Sequence, residues 1–180
     1  MRKDYQISVK VPHGIACEYS HGTIMLKKGN EELKRNARVP GLHVQVDNGE
    51  IKIMIAKTNK RSRAVLDALV AHVKNMIHGL NEKFVYELEI CYVHFPMTVK
   101  VDGKKLVISN FLGEKVNRQA NILEGVDVKI AGQKITVESA DVERAGQTAA
   151  NIEKASAVSN KDRRIFQDGI FITKKPGADL

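Results

Sequence analysis

Tryptophan is missing from this chain, and Phe and Tyr together make up only 5% of its 180 residues. No basic-Gly-aromatic-Gly-Phe run of the kind that stacks unpaired bases is present, so base stacking is not expected to drive any nucleic-acid binding. Cysteine is almost as scarce. Cys17 and Cys91 stand alone, with no Cys-x-x-Cys and no His at ligand spacing. That pattern gives neither a disulfide framework nor a zinc site, and both thiols read as small core or strand residues. No apolar run approaches the roughly 18 residues needed to span a bilayer. The opening MRKDYQISV alternates at once and lacks the apolar segment of a secretory signal, so a cytosolic protein is expected.

Catalytic signatures are lacking as well. GxxxxGK[ST], GxGxxG, HExxH and GxSxG do not occur, so phosphate cradles, zinc hydrolysis and a nucleophile elbow lose their usual signals. The histidines are scattered. His13, His21, His43 and His94 lie in or beside strands and turns, and His72 and His78 share one helix; each reads as structural or solvent-facing rather than as a metal ligand. Solvation explains the neighbouring Glu31 and Glu32. A non-enzymatic protein is expected, with no cofactor, no metal and no small-molecule substrate.

What the chain does contain is a repeat. Residues 41–68, GLHVQVDNGEIKIMIAKTNKRSRAVLDA, align without a gap on residues 125–152, GVDVKIAGQKITVESADVERAGQTAANI, at a shift of 84 positions. Val44 falls on Val128, Val46 on Ile130, Ile51 on Ile135 and Ile53 on Val137. The turns coincide, Asp47-Asn48-Gly49 over Ala131-Gly132-Gln133. In both copies a period of two gives way to a helical period at the same place, so each copy is read as a hairpin followed by a helix. The fold class expected is α+β with internal duplication: two tandem domains, residues 1–81 and 82–180, each with small antiparallel β-sheets and one α-helix around a single core.

Taken in order, Tyr5 to Val11 alternate and stop at Pro12, which cannot donate to a sheet ladder. Ile15 to Lys28 form a meander turning at Ser20-His21-Gly22, and the charged Glu31 to Pro40 reads as an exposed loop. The first helix is expected over about Thr58 to His78, with Leu66, Leu69, Val70, Val73, Met76 and Ile77 on one face and Gly79 placed to stop it. Its opening carries Lys57, Lys60, Arg61 and Arg63. Cations there oppose the helix dipole by roughly 0.3 to 1 kcal/mol each. A phosphate held by the side chains and free N–H groups would offset that; equally, they are solvated residues ahead of a true start near Ser62.

In the second copy, Phe84 to Tyr92 form a strand, Thr98 to Ser109 a hairpin with Asp102-Gly103 at its turn, and Asn110 to Asn121 a loop bearing Lys115 and Arg118. A second helix runs from an Asp141 cap to about Val158 with Val142, Ala145, Ala149 and Ile152 inward. Gly146, which costs a helix about 1 kcal/mol relative to Ala, suggests close packing there. Ile170 and Ile172 form a short last strand, and Pro176-Gly177 open a frayed end.

The net charge is +8, with 14 Lys and Arg against 8 Asp and Glu in residues 1–82. A second basic concentration, Lys154, Lys161, Arg163, Arg164, Lys174 and Lys175, is opposed only by Asp162 and Asp168. Such a balance without a membrane segment points to a polyanion. Given the few aromatics, the contact expected is between Lys or Arg on loops and ends and the phosphates of structured RNA. Rival readings are an RNA-processing or modifying enzyme and a protein-interaction scaffold with incidental charge.

The stretches GVDVKIAGQKITVESADVERAGQTAANIE, from Gly125, and KDRRIFQDGIFI, from Lys161, resemble the large-subunit ribosomal protein six family in its archaeal and eukaryotic form. The likeness covers essentially the whole chain. It implies two copies of one fold and a structural place in the large ribosomal subunit, in contact with 23S-type rRNA and neighbouring ribosomal proteins near the base of the stalk where translation factors dock. It further implies that Lys161, Arg163, Arg164 and Lys174 touch rRNA, with Gly125 and Gly132 as supporting turn residues. Lys154, Lys175, Lys115 and Arg118 are added from the basic concentrations, and Lys57, Lys60, Arg61 and Arg63 as possible further contacts with RNA or protein.

Overall fold

The structure, a computed structural model, describes residues 4–47, 49–56, 59–162 and 164–179. The chain divides into two compact units, Met1–Glu82 and Lys83–Leu180. In the first, alternation produces six antiparallel strands: β1 (Tyr5–Lys10), β2 (Ala16–Ser20), β3 (Thr23–Lys28), β4 (Glu31–Asn36), β5 (Leu42–Asp47) and β6 (Glu50–Ile55), followed by α1 (Lys60–Asn81). They form two three-stranded sheets, β1-β6-β5 and β2-β3-β4. The inward residues of both, Ile24, Leu26, Ile51 and Ile53, are fully buried together with Leu66 and Val73 of α1 in one cluster.

Two expectations for this unit need correction. Glu31 to Asn36 is a strand rather than a loop, pairing with β3 through Leu26↔Leu33. Its charges disguise it, and such charges are what an edge strand uses to discourage pairing with another chain. The helix also runs past Gly79 to Asn81, because Leu80 extends the buried stripe three residues beyond Ile77. It starts at Lys60 on an Asn59 cap: Ser62 N–H donates to Asn59 Oδ1 at 2.8 Å, and Asn59 N–H donates to Ser62 Oγ at 2.9 Å. Thr58 and Asn48, invoked for the helix start and the hairpin turn, lie outside the described residues.

The second unit contains β7 (Phe84–Cys91), β8 (Thr98–Asp102), β9 (Lys105–Ser109), a 3-10 turn at Phe111–Gly113, β10 (Arg118–Asn121), β11 (Asp127–Ala131), β12 (Lys134–Ser139), α2 (Val142–Ala155), β13 (Gly169–Lys175) and β14 (Ala178–Asp179). Its sheets are β11-β12-β7-β13-β14 and β10-β9-β8. Removing β13 and β14 leaves the strand orders of the first unit. The register agrees as well: Val44↔Ile53 and Val46↔Ile51 in one hairpin become Val128↔Val137 and Ile130↔Ile135 in the other, each displaced by 84 positions. The duplicated α+β architecture is therefore visible strand by strand.

In this unit the cross-strand partners Asp102↔Lys105 make Gly103-Lys104 the two turn residues, one position beyond Asp102-Gly103. The loop after β9 is shorter than expected, because Arg118 to Asn121 pair with β9. The second helix stops at Ala155. The end of the chain pairs back, Lys174↔Asp179, where a frayed end was expected.

Small residues do bring α2 close to its sheet. Ala145, Ala149 and Ile152 are fully buried, and a Cβ on Gly146 would stand 2.8 Å from the Tyr86 hydroxyl of β7. No described helix is long and apolar enough to cross a membrane.

Candidate nucleic-acid interface

The C-terminal end of α2 is where three basic segments meet. Arg118, on β10, reaches it directly: one guanidinium nitrogen donates to the carbonyls of Ala155 at 3.1 Å and Ala157 at 2.9 Å. The other side of the same group makes a two-pronged pair with Glu114, at 2.6 and 2.8 Å, and the guanidinium lies 4.1 Å over the Phe111 ring. Four of its five N–H donors are thereby engaged, and from β10 rather than from the expected loop it acts as a strut to the end of α2. What it fastens is useful. The strut holds the loop carrying the exposed Lys115 against the end of α2, whose last turn carries the exposed Lys154. Among the described residues neither lysine has a carboxylate partner. Lys154 also sits where a helix C-terminus favours a cation.

Lys161 follows in the next segment, its ammonium 4.4 Å above the Phe166 ring. His94 is stacked against the same ring at a centroid distance of 4.8 Å. Arg164 extends into solvent but is neutralised locally by Asp162 at 3.0 Å, and that guanidinium holds the Asp162 carboxyl below its usual range. Lys174 and Lys175 lie at the other end of β13 from this loop, about 17–20 Å away at the usual strand rise. The expected set is thus split: Lys115, Lys154, Lys161 and Arg164 gather around the end of α2 and the following loop, while Lys174 and Lys175 form a separate edge. Arg163 and Lys57 lie outside the described residues. In the first unit Lys60 and Arg61 are exposed, whereas Arg63 lies 4.6 Å over the Tyr5 ring and pairs with Asp67 at 3.7 Å.

Sequence reasoning missed the residue that fixes the 161–168 loop. Asp168 is almost wholly buried and accepts from Val93 N–H at 2.8 Å, His94 N–H at 3.1 Å and the His94 ring at 2.7 Å. It had been counted only as a negative charge opposing the basic run. An isolated acid directly before a buried Gly-Ile pair is the signal that could have found it, since a charge at a strand start must be satisfied. Beside this clasp is an open groove of about 920 Å³ whose lining includes Tyr92, Phe166 and Phe171.

Among the described residues of either unit nothing resembles a reactive centre. Burial pushes up the thiol pKa values of Cys17 and Cys91, with Glu18 and Glu89 adding to the effect, so the thiolates are disfavoured. Among the described residues no group of three or more His, Cys, Asp or Glu is arranged to hold a metal ion.

Two sheet-and-helix units, with cations gathered at the end of one helix, define a duplicated α+β scaffold that carries a basic surface. Comparison with known proteins makes the class specific. A family model described as ribosomal protein L6 matches residues 95–169. The chain is 40% identical over 172 residues to the large ribosomal subunit protein uL6 of Methanococcus vannielii, spanning 96% of this chain and 94% of that protein. It is 40% identical over 168 residues to the same protein from Methanocella arvoryzae, spanning 93% and 95%, and 37% identical over 171 residues to that of Haloarcula marismortui, spanning 95% and 96%. The chain belongs to the ribosomal protein L6 family.

Proposed function

We propose that this protein grips 23S-type rRNA through the cations at the end of α2, and that it holds folded RNA near the base of the stalk where translation factors dock. Its family makes it a structural, non-enzymatic constituent of the large ribosomal subunit in the cytoplasm, with rRNA and neighbouring ribosomal proteins as its partners. Family membership also sets aside an RNA-modifying enzyme. The observation that carries the finer reading is that Arg118 fastens the Lys115 loop to the end of α2, where Lys154 stands, while Lys161 in the segment that follows is held over Phe166. Lysines on a stiff frame meet phosphates with little further ordering, and each phosphate contact releases counterions. Arg164 extends the same surface, and Lys174 and Lys175 supply a second contact line.

The test is binding of the intact protein to protein-free large-subunit rRNA over a salt series. Replacing Lys115, Lys154 and Lys161 together by Ala should flatten the slope of log affinity against log salt by roughly two to three. An unchanged slope, with the variant still folded, would remove these residues from the interface.

A further inference from the structure

Aromatic side chains are few in this chain, but the fold gathers them. The groove beside the Asp168 clasp is lined by Tyr92, Phe166 and Phe171, and Tyr92 and Phe171 are 40% and 44% exposed. Each of those two rings is held in position. Gln133 donates its side-chain N–H to the Tyr92 hydroxyl at 3.4 Å. The tip of the Phe171 ring lies over Gly169 of its own strand, so close that a Cβ there would meet Cζ at 2.8 Å. Phe166, by contrast, already carries Lys161 and His94 on its ring.

Polar groups share the lining. Gln133 and Gln167 offer amides, each already donating one N–H within the protein, to the Tyr92 hydroxyl and the Arg164 carbonyl, and Glu89 adds a carboxylate and Lys154 an ammonium. A purely apolar partner would bury the Glu89 and Lys154 charges and the remaining amide groups without new partners, which disfavours it. A nucleotide uses all of them: its base stacks on an aromatic face, its edge exchanges hydrogen bonds with amides or donates an exocyclic amine to Glu89, and its phosphate meets Lys154.

From this we infer that the groove takes a single unpaired nucleotide of the bound rRNA, its base stacked on Tyr92 or Phe171. The inference rests on the rRNA-binding reading above and adds a base-reading site to what is otherwise phosphate contact. It also changes what aromatic scarcity means, since a site for one base needs only one or two well-placed rings.

Two measurements test it. First, Tyr92→Leu and Phe171→Leu are combined, keeping apolar bulk so that the unit folds, and binding to protein-free large-subunit rRNA is compared with binding to a fully paired RNA duplex. Affinity for the rRNA should fall by roughly 5- to 150-fold at unchanged salt slope, with duplex binding unaltered. Second, Tyr92→Trp introduces the chain's sole tryptophan. Its emission should be quenched by the rRNA and not by the duplex.

If the wild type binds rRNA with a steep salt response while the double variant binds equally well and the tryptophan is unquenched, the nucleotide site is overturned and the phosphate reading stands. If the double variant binds rRNA normally yet no longer joins the subunit, the groove is a protein contact and the inference fails. If the wild type does not bind rRNA at all, both readings fall.

Discussion

His94 Nδ1 donates to Asp168 Oδ2 at 2.7 Å, joining residues that lie 74 positions apart. The other carboxylate oxygen accepts the Val93 and His94 backbone N–H groups. Burial alone would raise the carboxyl pKa, but these three donors outweigh it and hold it below the ordinary value. One acid thereby ties the segment after β7 to the loop before β13. On that loop stand Lys161 and Arg164, so the geometry of the basic surface depends on a residue that does not belong to it.

The first prediction concerns that clasp. An unfolded Asp titrates near 3.9, and in the folded protein the value lies lower, so the charged form contributes stability that is complete at neutral pH. It is lost as pH falls through the folded value. Asp168→Asn should lower stability by about 2 kcal/mol at pH 7, the scale of hydrogen bonds to a charged group. The gap to the wild type should narrow as pH is taken below about 4. Urea midpoints at neutral and acid pH read this directly, and a gap that stayed constant would show that the charge is irrelevant.

A second prediction turns on the contact between α2 and β7. At an exposed helical site Gly→Ala gains about 1 kcal/mol. At Gly146 the new methyl would meet the Tyr86 hydroxyl at 2.8 Å and its ring carbon at 3.2 Å, and that ring packs against the core. Overpacking of this kind costs about 1–3 kcal/mol, so Gly146→Ala should destabilise the protein. In a Tyr86→Phe background, which removes the nearer atom, the same change should be neutral or favourable. Chemical denaturation of the four proteins in the cycle would decide, and a loss of equal size in both backgrounds would rule out the hydroxyl as the cause.

Much of this was legible in the sequence because the repeat made each hairpin a check on the other. Val46↔Ile51 and Ile130↔Ile135 pair as the aligned alternation requires. The Asp141 cap was legible for a local reason: Asp141 Oδ1 accepts from Glu143 N–H at 2.9 Å, two residues along. β4 was hidden because Leu33 is the single residue of its six that joins the core, while the polar and mostly charged remainder reads as loop. The site was legible as charge but not as geometry. Periodicity says nothing about a guanidinium reaching carbonyls 37 and 39 residues away, and so Arg118 looked like Lys115. Asp168 left a local hint at the start of its strand, but its partners Val93 and His94 lie in the other half of the unit's sequence, where periodicity does not reach.

The third prediction separates that pair of basic residues. Arg118 is only 24% exposed and joins Glu114, Phe111 and two carbonyls. Arg118→Ala should lower stability by about 2–3 kcal/mol, because the carbonyls and Glu114 lose a charged donor. Lys115→Ala, at an exposed position, should leave stability within about 0.5 kcal/mol and weaken rRNA binding instead. Thermal melts beside filter binding distinguish the two. A stable Arg118→Ala protein with selectively weakened binding would return that residue to the interface.

The last prediction concerns the start of α1, where the sequence placed cations against the helix dipole. Arg63 has structural partners in Tyr5 and Asp67, so its removal confuses packing with charge. Lys60 and Arg61 are exposed in the first turn, directly after the Asn59 cap. Replacing both by Gln removes an unfavourable interaction of about 0.3–1 kcal/mol each and leaves the capping hydrogen bonds in place, so the protein should become slightly more stable. If these residues meet phosphates, the stabler variant should also bind large-subunit rRNA more weakly, with the salt slope reduced by about two. Stability and binding would then move in opposite directions, which simple loss of structure cannot produce. Unaltered binding in the stabilised variant would exclude Lys60 and Arg61 from the RNA contact and leave that function to the end of α2.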